Sequence, residues 1–292
     1  MAELSVVIPT RDKAASLRAT LSALAAAVVP ADTEVIVVDD GSDDSTAAVL
    51  DTFVDRPGWS VVAGPRRGRA AARNAGAAAA TGRQLVFLDD DVLVGRTFLL
   101  AHRASARPDT FVHGPLREFP AARRWLAEHV DTPPAELARY AAQVLAADGH
   151  RLLRNTLETL VLAMGQQRVP PVAPWLACIG ANTAVPRKVF EAVGGFDEDF
   201  GLGWGCEDLE LGVRLVAAGL AARVVDRAAG VHLTHARPGR WSQHDANLER
   251  FVGLHDLPAV RLLPVLLGEG GGVRQYLAAL GVQDRQTGVP AS

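Results

Sequence analysis

The chain has 292 residues, enough for one large domain or two closely packed halves. Its apolar fraction of 49% and charged fraction of 22% exclude a disordered chain, while an aromatic fraction of 5% requires a core of small and branched aliphatic side chains. A net charge of −3 excludes a polycationic surface for nucleic acid, and two cysteines are too few for a disulfide scaffold. With neither a signal peptide nor a spanning apolar segment recognisable, we expect a cytoplasmic protein without integral membrane association.

Strands and helices alternate along the first ninety or so residues. Short β-branched runs at 4–9, 34–39, 60–63 and 84–88 are typical of strands in a parallel sheet. Helical spacing or capping residues between them predict helices over 14–29, 46–54 and 69–80. This alternation favours an α/β fold with a mostly parallel, Rossmann-like sheet flanked by helices.

The rest of the chain divides into three further regions. Residues 116–172 are predicted to form a helical insertion, with helices over 121–130, 134–147 and 151–167 and with Arg123, Arg124 and Trp125 as exposed contact residues. Residues 173–240 return to short strands, including 224–226 and 230–234, and to helices over 187–193 and 207–218. Residues 241–292 form a predicted helical tail, which leaves 1–115 as the first α/β half.

Acidic residues follow one of the predicted strands directly. Asp89, Asp90 and Asp91 come together at its end, where their mutual repulsion would be relieved by a divalent cation. An acidic turn or a helix N-cap would explain the same triplet. Thr10 and Asp40 end two other strands, however, and ligands of such sheets bind at the carboxyl ends of the strands. Three polar strand ends together indicate a binding site.

A second group of candidate residues lies beyond position 200. Trp204 is flanked by glycines, which suggests a mobile loop that brings a flat aromatic face to a ligand. Glu207 and Asp208 begin the next helix, where the helix dipole lowers a carboxylate pKa, so a catalytic base there needs compensating desolvation. His232 and His235 could share a metal if the backbone turns between them.

In their order and spacing, six motifs resemble the family-2 glycosyltransferases of the GT-A fold. The Gly-Trp-Gly-x-Glu-Asp loop further resembles the galactosyltransferase and chondroitin-polymerase branches of this superfamily. The resemblance covers about residues 4–235 apart from the helical insertion. The motifs are Ser-Val-Val-Ile-Pro-Thr at 5–10, Val-Val-Asp-Asp-Gly-Ser at 37–42, Arg-Asn-Ala-Gly at 73–76, Phe-Leu-Asp-Asp-Asp at 87–91, Gly-Gly-Phe-Asp at 194–197 and Trp-Gly-Cys-Glu-Asp at 204–208.

The resemblance implies a UDP-sugar donor and a bound Mn²⁺ or Mg²⁺, which would stabilise the charge on the leaving diphosphate. It makes residues 1–115 the nucleotide-sugar-binding half and 173–240 the acceptor and catalytic half. It implies Asp208 as general base, Glu207 as the residue that binds sugar or acceptor hydroxyls, and a metal site at Asp91 with His232 or His235. The implied nucleotide-sugar contacts are Pro9, Thr10, Arg11, Asp40, Arg73, Asp89, Asp90 and Trp204.

We therefore predict transfer of a hexosyl or N-acetylhexosaminyl group to a hydroxyl or amine, with inversion by direct displacement. The acceptor could be a small metabolite, a carrier-bound intermediate or a saccharide. A nucleotidyltransferase acting on sugar phosphates is a second possibility, but residues 9–12 lack the glycine-rich phosphate loop that it would use. A degenerate nucleotide-sugar-binding scaffold is a third, which the intact Asp91 and Asp208 disfavour.

Overall fold

A computed structural model describes residues 2–235, 239–268 and 271–282. In these residues ten strands form two sheets. The strands are β1 (Leu4–Thr10), β2 (Thr33–Asp39), β3 (Trp59–Ala63), β4 (Gln84–Leu88), β5 (Val92–Val94), β6 (Thr110–His113), β7 (Leu116–Glu118), β8 (Asn182–Pro186), β9 (Ala221–Val224) and β10 (Gly230–His232).

The large sheet has the strand order β3-β2-β1-β4-β8-β6-β9. Strands β1 to β4 run parallel, whereas β8 runs antiparallel to both of its neighbours, β4 and β6. Every residue of β1 and β4 is buried, as their continuous apolar sequences predict. The mostly parallel sheet confirms the predicted fold class.

The small sheet has the order β5-β10-β7 and lies next to the end of β4, because only three residues separate β4 from β5. Strand β10 pairs antiparallel with β5 and parallel with β7. This sheet joins three segments that are far apart in sequence. Its members β5 and β7 were not predicted, and neither were strand β6 and the helix over Phe98–Ser105.

Thirteen α-helices surround the sheets within the described residues. They are α1 (Ala14–Ala25), α2 (Thr46–Asp51), α3 (Arg69–Ala79), α4 (Phe98–Ser105), α5 (Ala122–Glu128), α6 (Pro134–Leu145), α7 (Thr156–Gly165), α8 (Arg187–Ala192), α9 (Glu207–Ala217), α10 (Arg240–Leu254), α11 (Pro258–Arg261), α12 (Leu263–Leu267) and α13 (Val273–Ala279). None of the described helices is both long and apolar enough to cross a membrane.

Two hydrophobic cores lie on opposite faces of the large sheet. Alternate residues of β1 enter different cores: Val7 packs on the α3 and α9 side, whereas Val6 and Ile8 pack on the α1 side. Helices α11 to α13 pack with α7 in the first of these cores. The fold is therefore a three-layer α/β/α arrangement, and the division into four regions stays a prediction.

The predicted helical insertion differs from the structure in three respects. Its first residues, for which no helix or strand was predicted, form strand β7. Its last helix begins at Thr156, because the Asn155 side chain caps it by accepting a hydrogen bond from the backbone N–H of Glu158. Trp125, predicted to be exposed, is buried against Phe119, although Arg123 and Arg124 are exposed.

The strand predicted at 224–226 also shifts. Strand β9 ends at Val224, and Asp226–Ala228 form a turn of 3₁₀ helix instead.

Candidate functional site

The carboxyl ends of β1, β2 and β4 enclose a cavity of about 440 Å³. The register of the sheet places Thr10 beside Asp39, and the Asp89–Asp91 triplet follows the adjacent strand. The cavity therefore lies where an open α/β sheet binds its ligand. Its lining includes the predicted residues Pro9, Thr10, Arg11, Asp40, Asp89 and Asp90 and, in addition, Asp12, Lys13, Gly68, Arg69, Ala72 and Leu202.

Asp40 shapes one wall of this cavity. Its two carboxylate oxygens accept hydrogen bonds from the backbone N–H groups of Arg66 at 2.6 Å and Gly68 at 2.9 Å. These bonds fix the loop that precedes α3. Gly68 has a positive φ of 96°, and a β-carbon there would lie 2.3 Å from the carbonyl oxygen of Gly201. This close approach holds residues 201–205, the glycine-rich loop, against the cavity. Leu202 of this loop is therefore part of the cavity lining.

The three carboxylates of the triplet have different partners. Asp89 accepts a hydrogen bond from the Arg73 guanidinium at 2.7 Å, Asp90 accepts one from the Thr10 hydroxyl at 2.7 Å, and Asp91 accepts one from Lys13 Nζ at 2.9 Å. Burial and the neighbouring Asp91 raise the pKa of Asp90 to about 7. Burial acts in the same direction on Asp91, but His232 and Lys13 outweigh it and hold the pKa of Asp91 well below its usual range. Asp91 is therefore the carboxylate of this pair that stays ionised.

Asp91 and both predicted histidines come together. One potential ligand atom of each of Asp91, His232 and His235 lies within 4.8 Å of the others. Nε2 of His232 is 3.3 Å from Oδ1 of Asp91, and Nδ1 of His235 is 3.3 Å from Oδ2. Beyond the last residue of β10, the N–H of Leu233 donates to the carbonyl of Asp91 at 2.7 Å, which continues the antiparallel pairing of β10 with β5. Both imidazoles lie beside the same carboxylate.

The donor atoms of this cluster fit a divalent cation. Oδ1 of Asp91 is buried and has no hydrogen bond within the described part of the chain. His232 uses Nδ1 to contact Glu118 of β7 at 2.7 Å, which leaves Nε2 facing that oxygen. Two acceptor atoms so close need a proton or a cation between them. Burial lowers the pKa of His232, but Asp91 and Glu118 outweigh it and raise the pKa to about 10 in the protein without metal. The mixed set of carboxylate oxygen and imidazole nitrogens suits Mn²⁺, and Glu118 would orient the His232 ring through its contact with Nδ1.

Arg73 connects the strand end to the predicted catalytic acids. It is 2% exposed, and its guanidinium donates to Asp89 at 2.7 Å and to Glu207 at 2.9 Å. Gly180 leaves room for it, because a β-carbon there would lie 2.9 Å from the guanidinium carbon. Arg73 is not among the described residues that line the cavity, although Asp89, to which it donates, is one of them. Its contacts make it a bridge between β4 and α9.

Asp208 lies in the desolvated setting that a base at a helix start requires. Its Oδ2 accepts a hydrogen bond from the backbone N–H of Gly180 at 2.9 Å. Burial and repulsion from Glu207 raise the pKa of Asp208 to about 6, against the opposing effect of Arg73. Asp208 is therefore ionised at neutral pH and still basic enough to accept a proton.

The glycine-rich loop rests on α10, which sequence reasoning assigned to the tail. The ring of Trp204 lies 5.7 Å from that of His244, and Asn247 donates to the carbonyl of Gly205 at 2.9 Å. Cys206 follows in the left-handed region, with φ 73°, and its thiol is buried. Trp204 does not belong to the cavity lining described above. His244 and Asn247 carry no sequence signal beyond a helical pattern, so they were missed.

Comparison with solved structures identifies the fold. The chain superposes on a mannosyltransferase from Pyrobaculum calidifontis, solved with GDP-Man and Mn²⁺, with a TM-score of 0.59, 21% identity and coverage of 96% of this chain and 74% of that one. It superposes on GalNAc-T7, solved with UDP, GalNAc and Mn²⁺, with a TM-score of 0.60, 16% identity and coverage of 86% and 48%. The fold is that of the GT-A glycosyltransferases.

The sequence families agree with this class. Residues 5–124 match glycosyl transferase family 2, and residues 163–236 match the N-terminal domain of galactosyltransferase. Each of these matches covers less than half of the chain, so each states what that range is similar to. A curated relative, validoxylamine A glucosyltransferase of Streptomyces hygroscopicus subsp. limoneus, is 36% identical over 271 residues, which cover 86% of this chain. The chain spans 56% of the length of that relative.

Proposed function

We propose that the protein transfers a hexose from a UDP-sugar to a hydroxyl or amine of a small-molecule acceptor. The observation that carries the proposal is the meeting, at one edge of the sheet, of a polar cavity, a cluster of Asp91, His232 and His235 that could hold a cation, and the desolvated carboxylate of Asp208. The relative named validoxylamine A glucosyltransferase supports glucose as the sugar and validoxylamine A as the first acceptor to test.

The cavity supplies the donor site in this proposal. Thr10, Arg11 and Asp40 would contact the nucleoside, and Asp89 and Asp90 would lie near the ribose and phosphates. Asp91, His232 and His235 would hold a divalent cation, which would neutralise charge on the leaving diphosphate. Arg69 at the same cavity offers a further positive charge to the phosphates.

The acids at the start of α9 would act on the acceptor. Asp208 would take the proton from the attacking hydroxyl or amine as that atom forms its bond to the anomeric carbon. The bond between the anomeric carbon and the phosphate oxygen would break in the same step, so that the configuration inverts. Glu207, held by Arg73, would accept hydrogen bonds from sugar or acceptor hydroxyls, and Trp204 would provide an apolar surface for a sugar ring.

A ligand panel tests the donor site. The melting temperature is measured with UDP, GDP, UDP-glucose and UDP-GlcNAc, each with and without Mn²⁺. We expect stabilisation by UDP and one UDP-sugar that requires Mn²⁺ and is lost in Asp91→Ala. No response to any nucleoside diphosphate would refute the proposal.

An acceptor assay separates a transferase from a binding scaffold. Wild-type protein is incubated with UDP-glucose, Mn²⁺ and validoxylamine A, and both UDP release and the glycosylated product are measured. Product formation is expected. Nucleotide binding without transfer to this or any other hydroxyl or amine acceptor would instead identify a degenerate scaffold.

A further inference from the structure

Lys13 occupies a position that a bound cation would need. Its Nζ lies 2.9 Å from Oδ2 of Asp91 and 3.1 Å from Nε2 of His235. The ammonium therefore contacts two of the three groups that form the candidate metal cluster. Neither the metal-binding nor the catalytic roles discussed above use this contact.

We propose that Lys13 is an exchangeable internal cation: it neutralises Asp91 when no metal is bound, and it moves to the diphosphate when a divalent ion takes its place. The second half rests on the proposed function, whereas the first half depends only on the cation cluster. The consequence is that metal and nucleoside diphosphate assist each other's binding through one side chain.

The ammonium and a metal ion cannot share Asp91 and His235 in this arrangement. A transition-metal ion binds carboxylate oxygen and imidazole nitrogen at about 2.0–2.2 Å. An ion that used these two groups would overlap or closely approach an ammonium that lies about 3 Å from both of them, and the two positive charges would repel each other. Lys13 therefore has to move before the metal can bind.

The position of Lys13 allows that movement. It precedes α1 and makes no side-chain capping bond, and its side chain is 27% exposed. Its flexible stem carries a point charge that tolerates a change of partner, unlike the planar fork of an arginine. Arg73 offers the contrast, since it is buried between two carboxylates.

The cavity provides the new partner for the displaced ammonium. Lys13 lines it together with Arg69 and Asp89, at the strand ends where the diphosphate is proposed to lie. Phosphate oxygens accept charge-assisted hydrogen bonds from an ammonium. A diphosphate in the cavity would thus stabilise the displaced position of Lys13 and so favour metal at Asp91. By linkage, metal would favour the diphosphate by the same factor.

Calorimetric titration with Mn²⁺ in the absence of nucleotide tests the exchange. Lys13→Met removes the competing charge, so we expect Mn²⁺ to bind about tenfold more tightly than to wild type, within the range usual for coupled sites. Lys13→Arg keeps the charge and should bind no more tightly than wild type.

Lys188→Met is the matched control, because the only other lysine of the chain is exposed on α8. That helix follows the end of β8 that pairs with the start of β4, far from the strand ends of the site. Equal or weaker Mn²⁺ binding by Lys13→Met than by wild type would overturn the exchange. Absence of Mn²⁺ binding in every variant would overturn it together with the metal site.

A second titration tests where Lys13 goes. At saturating Mn²⁺, Lys13→Met should lose about tenfold in affinity for UDP and much less for UMP, which lacks the β-phosphate. Equal losses for the two nucleotides would overturn the diphosphate half of the proposal. A wild-type protein that binds no nucleotide would instead refute the proposed function, and the Mn²⁺ titration would still decide the exchange.

Wild-type protein gives a readout that does not depend on the folding of a variant. Reductive ¹³C-methylation labels the two lysines and the N-terminal amine and keeps the positive charge of the lysines, and the Lys13→Met and Lys188→Met variants assign the two lysine signals. A competition titration against Mn²⁺ first gives the concentration at which Mg²⁺ occupies the site. At that concentration, with no Mn²⁺ present, Mg²⁺ should shift the Lys13 signal and leave the Lys188 signal in place. A Lys13 signal that does not respond to bound Mg²⁺ would overturn the exchange.

Discussion

The site contains two buried groups of carboxylates, and they are neutralised in different ways. At the start of α9, Glu207 pairs with Arg73, a guanidinium that is 2% exposed and also holds Asp89. At the end of β4, Asp91 pairs with Lys13, whose side chain is 27% exposed. The first cation is enclosed by the fold, whereas the second can reach solvent and the cavity.

This difference separates a permanent charge from a replaceable one. A planar guanidinium that bridges two elements fixes their geometry, which suits groups that must stay in place during a reaction. A flexible ammonium neutralises a carboxylate only until a better cation arrives. Glu207 and Asp89 therefore keep Arg73 as their partner, whereas Asp91 can exchange Lys13 for another cation. Substitutions in the two groups should accordingly change different properties of the protein.

Asp208→Asn should cause the largest change in rate. The amide keeps the shape of the side chain but cannot accept a proton, so we expect kcat to fall about 10²–10⁴-fold. UDP affinity in the presence of Mn²⁺ should stay within about twofold of wild type, since the variant leaves the cavity intact. Single-turnover transfer and nucleotide titration measure the two quantities, and unchanged kcat would remove Asp208 from the role of base.

The pH profile of the wild-type reaction sharpens the same assignment. The pKa of Asp208 is raised to about 6 by burial and by Glu207, and only the ionised form accepts a proton. The rate should therefore fall as pH decreases below about 6 and level off above it. The residual activity of Asp208→Asn should lack this inflection; an identical inflection in the variant would assign it to another group.

Arg73→Met should mainly affect stability. It leaves the buried Glu207 and the half-buried Asp89 without their shared cation, for which a loss of about 3–5 kcal/mol in the free energy of unfolding is expected. Urea denaturation measures the change. The control is Arg83→Met, because Arg83 is 77% exposed and its pair with Glu3 should contribute less than about 1 kcal/mol. Equal effects of the two variants would contradict the bridging role of Arg73.

Glu118→Gln should have the smallest effect of the three substitutions. It removes the carboxylate that orients His232, and loss of such a partner typically weakens metal binding about 10–100-fold. Calorimetry with Mn²⁺ measures the affinity. Glu128→Gln is the control, because Glu128 is an exposed glutamate of α5 whose partner is Arg124. If Glu118→Gln leaves Mn²⁺ affinity unchanged, His232 does not bind the ion in the manner proposed.

The parts of the fold that could be predicted are those governed by local pattern. Strands β1, β2 and β4 are continuous apolar runs that end in polar residues, so both their existence and the placement of Thr10, Asp40 and Asp89 at one edge followed from sequence. Strand β7 has three residues inside a region that otherwise reads as helical, and long-range pairing with β10 and with Leu153 makes it a strand. No local signal distinguishes such a segment.

The contacts that organise the site are mostly long-range, which explains what sequence reasoning missed. Arg73 and Glu207 are 134 positions apart, and Lys13 and Asp91 are 78 apart. The motifs identified these residues or their neighbours as important without showing that Arg73 would face carboxylates rather than the cavity. Glu118 gave no signal, because a lone glutamate gains meaning only when a strand brings it to His232.

The small sheet gives the candidate ion a part in the assembly of the chain. Asp91 directly precedes β5, Glu118 ends β7 and His232 ends β10, so Asp91, His232 and the glutamate that orients His232 come together only when all three strands are paired. An ion that binds this arrangement and not the unfolded chain stabilises the folded state by mass action, by about 2.7 kcal/mol at a concentration one hundred times its Kd. Chelation would accordingly loosen this sheet first, and exchange of its backbone amide protons would accelerate before that of β1.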